Sequence, residues 1–150
     1  MTSKWKKASP ETAVTASKCG ALYVTNTLAK HEAIKKGYGD ALMLDYRGYV
    51  AEISAANIFF VKDGNVTTPI PDCFLNGITR LTVIDLCNEN GIPIEERHFN
   101  KDELMNADEI FITGTLAEIT PIIKIDDTPF PVGAITKTIN RLYQKETGQI

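Results

Sequence analysis

Between Glu52 and Arg80 the chain departs from ordinary hairpin sequence wherever a chemical group would face a pocket. A carboxylate, Glu52, closes one strand. The small residues Ser54, Ala55 and Ala56 turn the chain, and Asn57 opens the next strand. Further on, Gly77-Ile78-Thr79 opens a helix, where unpaired amides and the helix dipole favour an anion. Thr113-Gly114-Thr115 follows a strand and offers a second pair of amides and a hydroxyl. A desolvated lysine loses its proton and attacks an aldehyde, but spacing alone does not separate Lys18 from the chain's other lysines, which are mostly solvated residues. Taken one at a time, each residue also has a plain reading: Glu52 as an exposed strand-end acid, Thr79 as an N-cap, Gly114 as a turn.

Periodicity supplies the elements that must position these groups. Residues 1–14 lack a repeat and are expected to be an extended linker ahead of a body formed by residues 15–150. Leu22, Thr25, Leu28, Ala29 and Ala33 are spaced for one buried face of a helix over 17–36, which Gly37 ends. Strands are predicted at 41–45, 49–52, 57–62 and 66–68, with turns at Arg47-Gly48 and Asp63-Gly64. A Pro-rich loop over 69–76 leads to a helix over 79–90, then strands at 92–98, 109–113 and 119–125. A short helical turn is expected at 101–106, a turn at Asp126-Asp127 and a closing helix over 133–146. The pattern is a mixed α/β domain whose mostly antiparallel sheet packs against helices. No strand leads into G-x-G-x-x-G, which excludes a Rossmann fold.

The stretch from Glu52 to Arg80 resembles the signature of the class IV aminotransferases, the fold-type IV pyridoxal-phosphate enzymes. That pattern asks for Glu, a small residue, Asn, an aromatic, Thr, then Gly-apolar-x-Lys/Arg; Glu52, Ser54, Asn57, Phe59, Thr67, Gly77, Ile78 and Arg80 fill its slots. So many fixed types make it far more specific than a lone glycine motif. The run K-C-G-A-L-Y-V-T-N-T-L-A-K-H-E-A, the W-K-K-A-S-P beginning at Trp5, L-A-E-I-T-P over 116–121 and V-G-A-I-T-K-T-I near the end extend the resemblance over nearly the whole chain. Ile53 stands where relatives carry a small residue, and Leu116 is bulkier than the usual Ala.

The resemblance implies a pseudo-barrel-like fold, pyridoxal 5'-phosphate as cofactor and reversible transamination, with a branched-chain-like amino acid favoured. It makes Lys18 the lysine that holds the cofactor aldehyde and moves the substrate proton, with Tyr23 on the phenolic oxygen. Glu52 would face the pyridine nitrogen and keep it protonated, with Asn57 beside the cofactor. Gly77, Ile78, Thr79, Gly114 and Thr115 would clasp the phosphate, and Thr115 and Leu116 would meet the substrate. The alternatives are an aminodeoxychorismate lyase acting through the same lysine, or a non-catalytic fragment or subunit with residual cofactor or partner binding. Family members are about twice this length; a missing N-terminal domain supplies an arginine to the phosphate and much of the substrate pocket. The resemblance therefore implies a homodimer of two-domain subunits, with the isolated chain weakly active or inactive.

Bulk properties agree with one domain: 150 residues can bury one core, not two. The net charge of −3 argues against nucleic acid despite Lys4, Lys6, Lys7 and Lys18. No apolar run approaches the roughly 18 residues that span a membrane, and no apolar region follows the basic start, so no secretory signal is expected. Cys19, Cys73 and Cys87 lack any C-x-x-C spacing and are expected to be reduced thiols of a cytoplasmic protein. His31 and His98 have no metal-ligand partners at useful spacing, so no metal is expected. Arg80 and Lys137 are expected to be helix-surface charges.

Overall fold

The computed structural model describes residues 1–150, and its topology follows from β3 (Asn57–Lys62), the one strand that pairs with three others. Its sequence N-I-F-F-V-K is almost continuously apolar, as a strand buried on both faces requires. On one edge lies β6 (Glu109–Gly114), antiparallel and in register from Asn57↔Thr113 to Val61↔Glu109, followed by β7 (Glu118–Pro121). The other edge is shared. β2 (Val50–Ile53) meets it at Glu52↔Asn57, and β4 (Asn65–Thr68) pairs with Phe60, Val61 and Lys62. β1 (Leu42–Leu44) lies beyond β2, and β5 (Ile94–Glu96) runs parallel to β4. The shared edge gives the sheet its barrel-like branching. At the β3–β4 turn Asp63 and Gly64 both take positive φ, 49° and 82°, the backbone a tight hairpin demands.

Period-two alternation then sorts the two cores. Phe59 and Val61 of β3, Phe111 of β6 and Val66 of β4 face α2 (Ile78–Glu89) and α4 (Ala134–Glu146), closing on Val83, Cys87 and Ile139. Phe59 and Phe111 are directly opposite and stack at 4.9 Å. Ile58, Phe60 and Ile110 point the other way, onto Phe99, Leu104 of α3 (Lys101–Met105) and Ile125. Asn57 and Thr113 share the parity of Phe59 and Phe111, so they face the helical side at the end where α2 begins.

Three expectations are corrected. The first helix begins later, with a 3-10 turn at Gly20–Leu22 and α1 over Tyr23–Lys35. Its buried residues are Asn26, Ala29 and Ala33, a face that packs on Ala41 and Met43, and Leu28 lies off that face and is exposed. The strand expected over 119–125 is two strands: β7 leaves β6 at Pro121, and β8 (Lys124–Ile125) pairs instead with β9 (Thr128–Pro129). Arg80 is not a surface charge but fully buried. Its guanidinium donates to Asn76 Oδ1 (2.8 Å), the Pro69 carbonyl (2.8 Å), Thr68 Oγ1 (3.3 Å) and Glu96 Oε2 (2.5 Å). It therefore ties the first turn of α2 to the Pro-rich loop and to β4 and β5.

The start of α4 is closed from the sheet. Glu109 Oε2 accepts from the Thr136 amide and hydroxyl, both at 2.7 Å, and Oε1 accepts from the Ile135 amide at 3.2 Å. A Cβ at Gly133 would fall inside the Glu109 carboxyl group. Glu109→Ala is expected to lower the unfolding free energy by about 1–2 kcal/mol, the usual worth of a lost N-cap. Urea unfolding measures it; an unchanged midpoint would mean that the cap contributes nothing.

Candidate functional site

Three strands present one polar residue each to the same end of the helical face. Glu52 is opposite Asn57, and Asn57 is opposite Thr113. Asn57 holds the floor together, since its Nδ2 donates to Glu52 Oε2 (3.1 Å) and to the Leu75 carbonyl (3.0 Å), while its Oδ1 accepts from the Gly77 amide (3.2 Å). A Cβ at Gly77 would collide with Asn57 Oδ1, so only glycine lets α2 start this close to the sheet. Asn57 thus links the carboxylate at one end of the floor to the helix opening at the other.

Above this floor is a cavity of about 330 Å³. Lys18 and Tyr23 line it from the approach to α1, and Glu52 and Asn57 from the sheet. Gly77, Ile78 and Thr79 line it from the start of α2, and Gly114 and Thr115 from the end of β6. Every cofactor position carried over from the resemblance therefore borders one cavity. Leu116 does not: it is fully exposed beside it. No side chain caps α2, whose first-turn amides open toward the cavity beside the Thr79 hydroxyl. That donor set fits a phosphate. The Gly77 amide is already taken by Asn57, which leaves Ile78 and Thr79 as the donors of the turn that border the cavity.

Two of the residues that line or support the cavity, Thr113 and Lys7, were given no role of their own from the sequence. Thr113 is 1% exposed, lines the cavity, and its Oγ1 has no hydrogen-bond partner. A buried hydroxyl left unpaired costs free energy unless a ligand or water meets it. The second is Lys7. Residues 1–7 run along β1, with the Ser3 amide on the Leu42 carbonyl (2.8 Å) and the Lys7 amide on the Leu44 carbonyl (2.9 Å). Lys7 Nζ then donates to Glu52 Oε1 at 2.6 Å and to Asn26 Oδ1 at 3.1 Å, its side chain 9% exposed. A signal for this exists in the sequence: in S-K-W-K-K-A, Ser3, Trp5 and Lys7 alternate with exposed Lys4, Lys6 and Ala8, placing Lys7 on the inward face of Trp5. Burial pushes the Glu52 carboxyl above its ordinary range, and the charge and hydrogen bond of Lys7 pull it back down.

Elsewhere Asp45, Asp72 and Cys73 bring ligand atoms within 4.8 Å of one another. Arg47 Nη2 lies on both carboxylates, at 2.7 and 2.8 Å, and burial pushes the Cys73 thiol up to about 12. This cluster is an ion-paired turn. No helix is long and apolar enough to cross a membrane.

Comparison with known proteins gives a consistent result. The family model described as "Amino-transferase class IV" matches residues 1–125. A probable branched-chain-amino-acid aminotransferase of Aquifex aeolicus is 41% identical over 146 residues, covering 94% of this chain and 47% of that protein. One of Rickettsia felis is 44% identical over 123 residues, covering 82% and 42%. Among solved structures, the branched-chain aminotransferase of Thermoproteus uzoniensis with norvaline superposes with a TM-score of 0.93 at 39% identity, over 96% of this chain and 49% of that one. An aminotransferase of Brucella abortus bound to the cofactor PLP gives 0.94 at 36% identity, over 98% and 53%. The chain spans about half the length of the curated relatives it matches.

Proposed function

The chain belongs to the class IV aminotransferases, and from that premise we propose that it forms the cofactor-binding part of an enzyme moving an amino group between an amino acid and a 2-oxo acid. A branched-chain amino acid is the favoured donor, in line with the relatives' names. The observation that carries the reading is the cavity itself. It gathers an amine, a phenol, a buried carboxylate and an open helix N-terminus from three separate parts of the chain.

Pyridoxal 5'-phosphate is the cofactor, and when bound it supplies an aldehyde for the amino group and a ring that takes up the electron pair released at the substrate Cα. The chain's residues have distinct tasks. The amides of Ile78 and Thr79, with the Thr79 and Thr115 hydroxyls and the turn at Gly114, bind the phosphate. Tyr23 donates to the phenolic oxygen. Glu52 holds a proton on the ring nitrogen, and Asn57 keeps Glu52 and Gly77 in place. Lys18 Nζ would hold the cofactor aldehyde and would move the proton at the substrate Cα.

The exposed Leu116 and Ile78 lie at the rim, where the remaining half of a longer enzyme would complete the substrate pocket. On this reading residues 1–14 connect that half to the body at 15–150, and the isolated chain turns over weakly or not at all. Assembly as a homodimer and a cytoplasmic location belong to the same proposal.

The test is covalent. After incubation with pyridoxal phosphate and borohydride reduction, peptide mapping is expected to place the adduct on Lys18, and Lys18→Ala to carry none. Label spread evenly over surface lysines, unchanged in Lys18→Ala, would rule out this assignment.

A further inference from the structure

The buried ion pair beneath the cavity has a consequence for proton placement. Lys7 comes from the N-terminal segment, 45 residues from Glu52 in sequence, yet its side chain and that of Glu52 are each only 9% exposed. Burying two charges is expensive, and a pair of this kind is weak evidence for added stability. Its placement is better explained by what it does to Glu52. Lys7 Nζ occupies Oε1, and Asn57 Nδ2 occupies Oε2. Each carboxylate oxygen keeps a further lone pair, so Glu52 can still accept a hydrogen bond from the cavity.

We propose that Lys7 is a positioning residue that holds Glu52 as an oriented carboxylate and biases the proton shared between Glu52 and a bound pyridine nitrogen toward the nitrogen. This rests on the cofactor assignment made above. The bond that breaks is O–H at Glu52 and the bond that forms is N–H at the ring, with no other reactant. The direction follows from distance. Lys7 touches Glu52 itself, so its charge opposes a proton on the carboxyl more than one on a nitrogen farther away. The other ionisable groups facing Glu52 are Lys18 and Tyr23 across the cavity. The neighbours from α1 and β3, Asn26 and Asn57, are neutral.

The experiment is read on the cofactor-free chain, so its outcome is separate from that of the Lys18 adduct. The 13C carboxyl resonance of Glu52, assigned by its loss in Glu52→Gln, is titrated in the parent and in Lys7→Gln, Lys7→Met and Lys7→Arg. Lys7→Gln keeps a hydrogen-bond donor without the charge. Removing an opposite charge at contact distance is expected to raise the Glu52 midpoint by about 1–3 pH units in Lys7→Gln or Lys7→Met, either of which decides alone. Lys7→Arg is expected to restore it. In the chain loaded with 15N-labelled pyridoxal phosphate, the ring-nitrogen resonance should move from the protonated toward the unprotonated position in Lys7→Gln and return in Lys7→Arg. A Glu52 midpoint that is unchanged without the Lys7 charge, or not restored by arginine, overturns the proposal; packing alone would not move it.

Discussion

Arg80→Met is expected to lower the unfolding free energy by on the order of 3 kcal/mol, toward the lower end of the cost of breaking a buried ion pair. The lower end applies because Glu96, at 44% side-chain exposure, can return to water. The exposed Asn76 can do the same, but the Pro69 carbonyl and Thr68 Oγ1 are buried and would lose a charged donor. Methionine fills the channel but supplies no donor, and lysine cannot reproduce a fork that reaches four acceptors. Because the same fork pins Asn76 beside Gly77, the variant is also expected to bind pyridoxal phosphate more weakly through its loosened helix start. Denaturant unfolding and a cofactor titration measure the two effects. A loss below about 1 kcal/mol, the ordinary worth of one neutral hydrogen bond, would mean that the buried guanidinium does not hold α2 in place.

Turnover is where Glu52→Gln is expected to act, by roughly 10²–10³-fold, the scale of removing one preorganised electrostatic partner. The amide keeps the shape of the side chain and an oxygen to accept from Asn57 or Lys7, so the fold and the phosphate contacts are expected to survive. What it loses is the negative charge proposed to keep a proton on the ring nitrogen. The assay uses a two-domain enzyme carrying these 150 residues, since the relatives are about twice as long, and compares turnover with cofactor affinity. Unchanged turnover with retained cofactor would remove Glu52 from the mechanism. Equal losses in both would make it a binding residue only.

The two predictions sit at opposite ends of what a sequence can show. Glu52, Asn57 and Gly77 were picked out by the family pattern, and only the hairpin beside them was legible locally: Asp63-Gly64 sets the turn, and alternation sets the faces. Lys18 and Tyr23 were legible only through the resemblance, since an exposed lysine at the head of a helix has no local mark of chemistry. Arg80 was misjudged for a related reason. A charged residue in an amphipathic helix belongs on the surface unless something buried receives it, and its acceptors lie in the Pro-rich loop, β4 and β5.

By itself, then, the sequence determined most of the strands and helices, the hairpin, the glycine at the start of α2 and the family pattern that picks out Lys18 for the proposed role. These depend on backbone preferences and on contacts a few residues apart. Tertiary structure alone decided which polar groups are partnered. It put Lys7 on Glu52, the Glu109 carboxylate under the first turn of α4, Arg80 inside the protein and Thr113 Oγ1 unpaired at the cavity floor. Those placements join residues far apart in the chain, and each depends on burial, which makes an unpaired polar group costly and a partnered one specific.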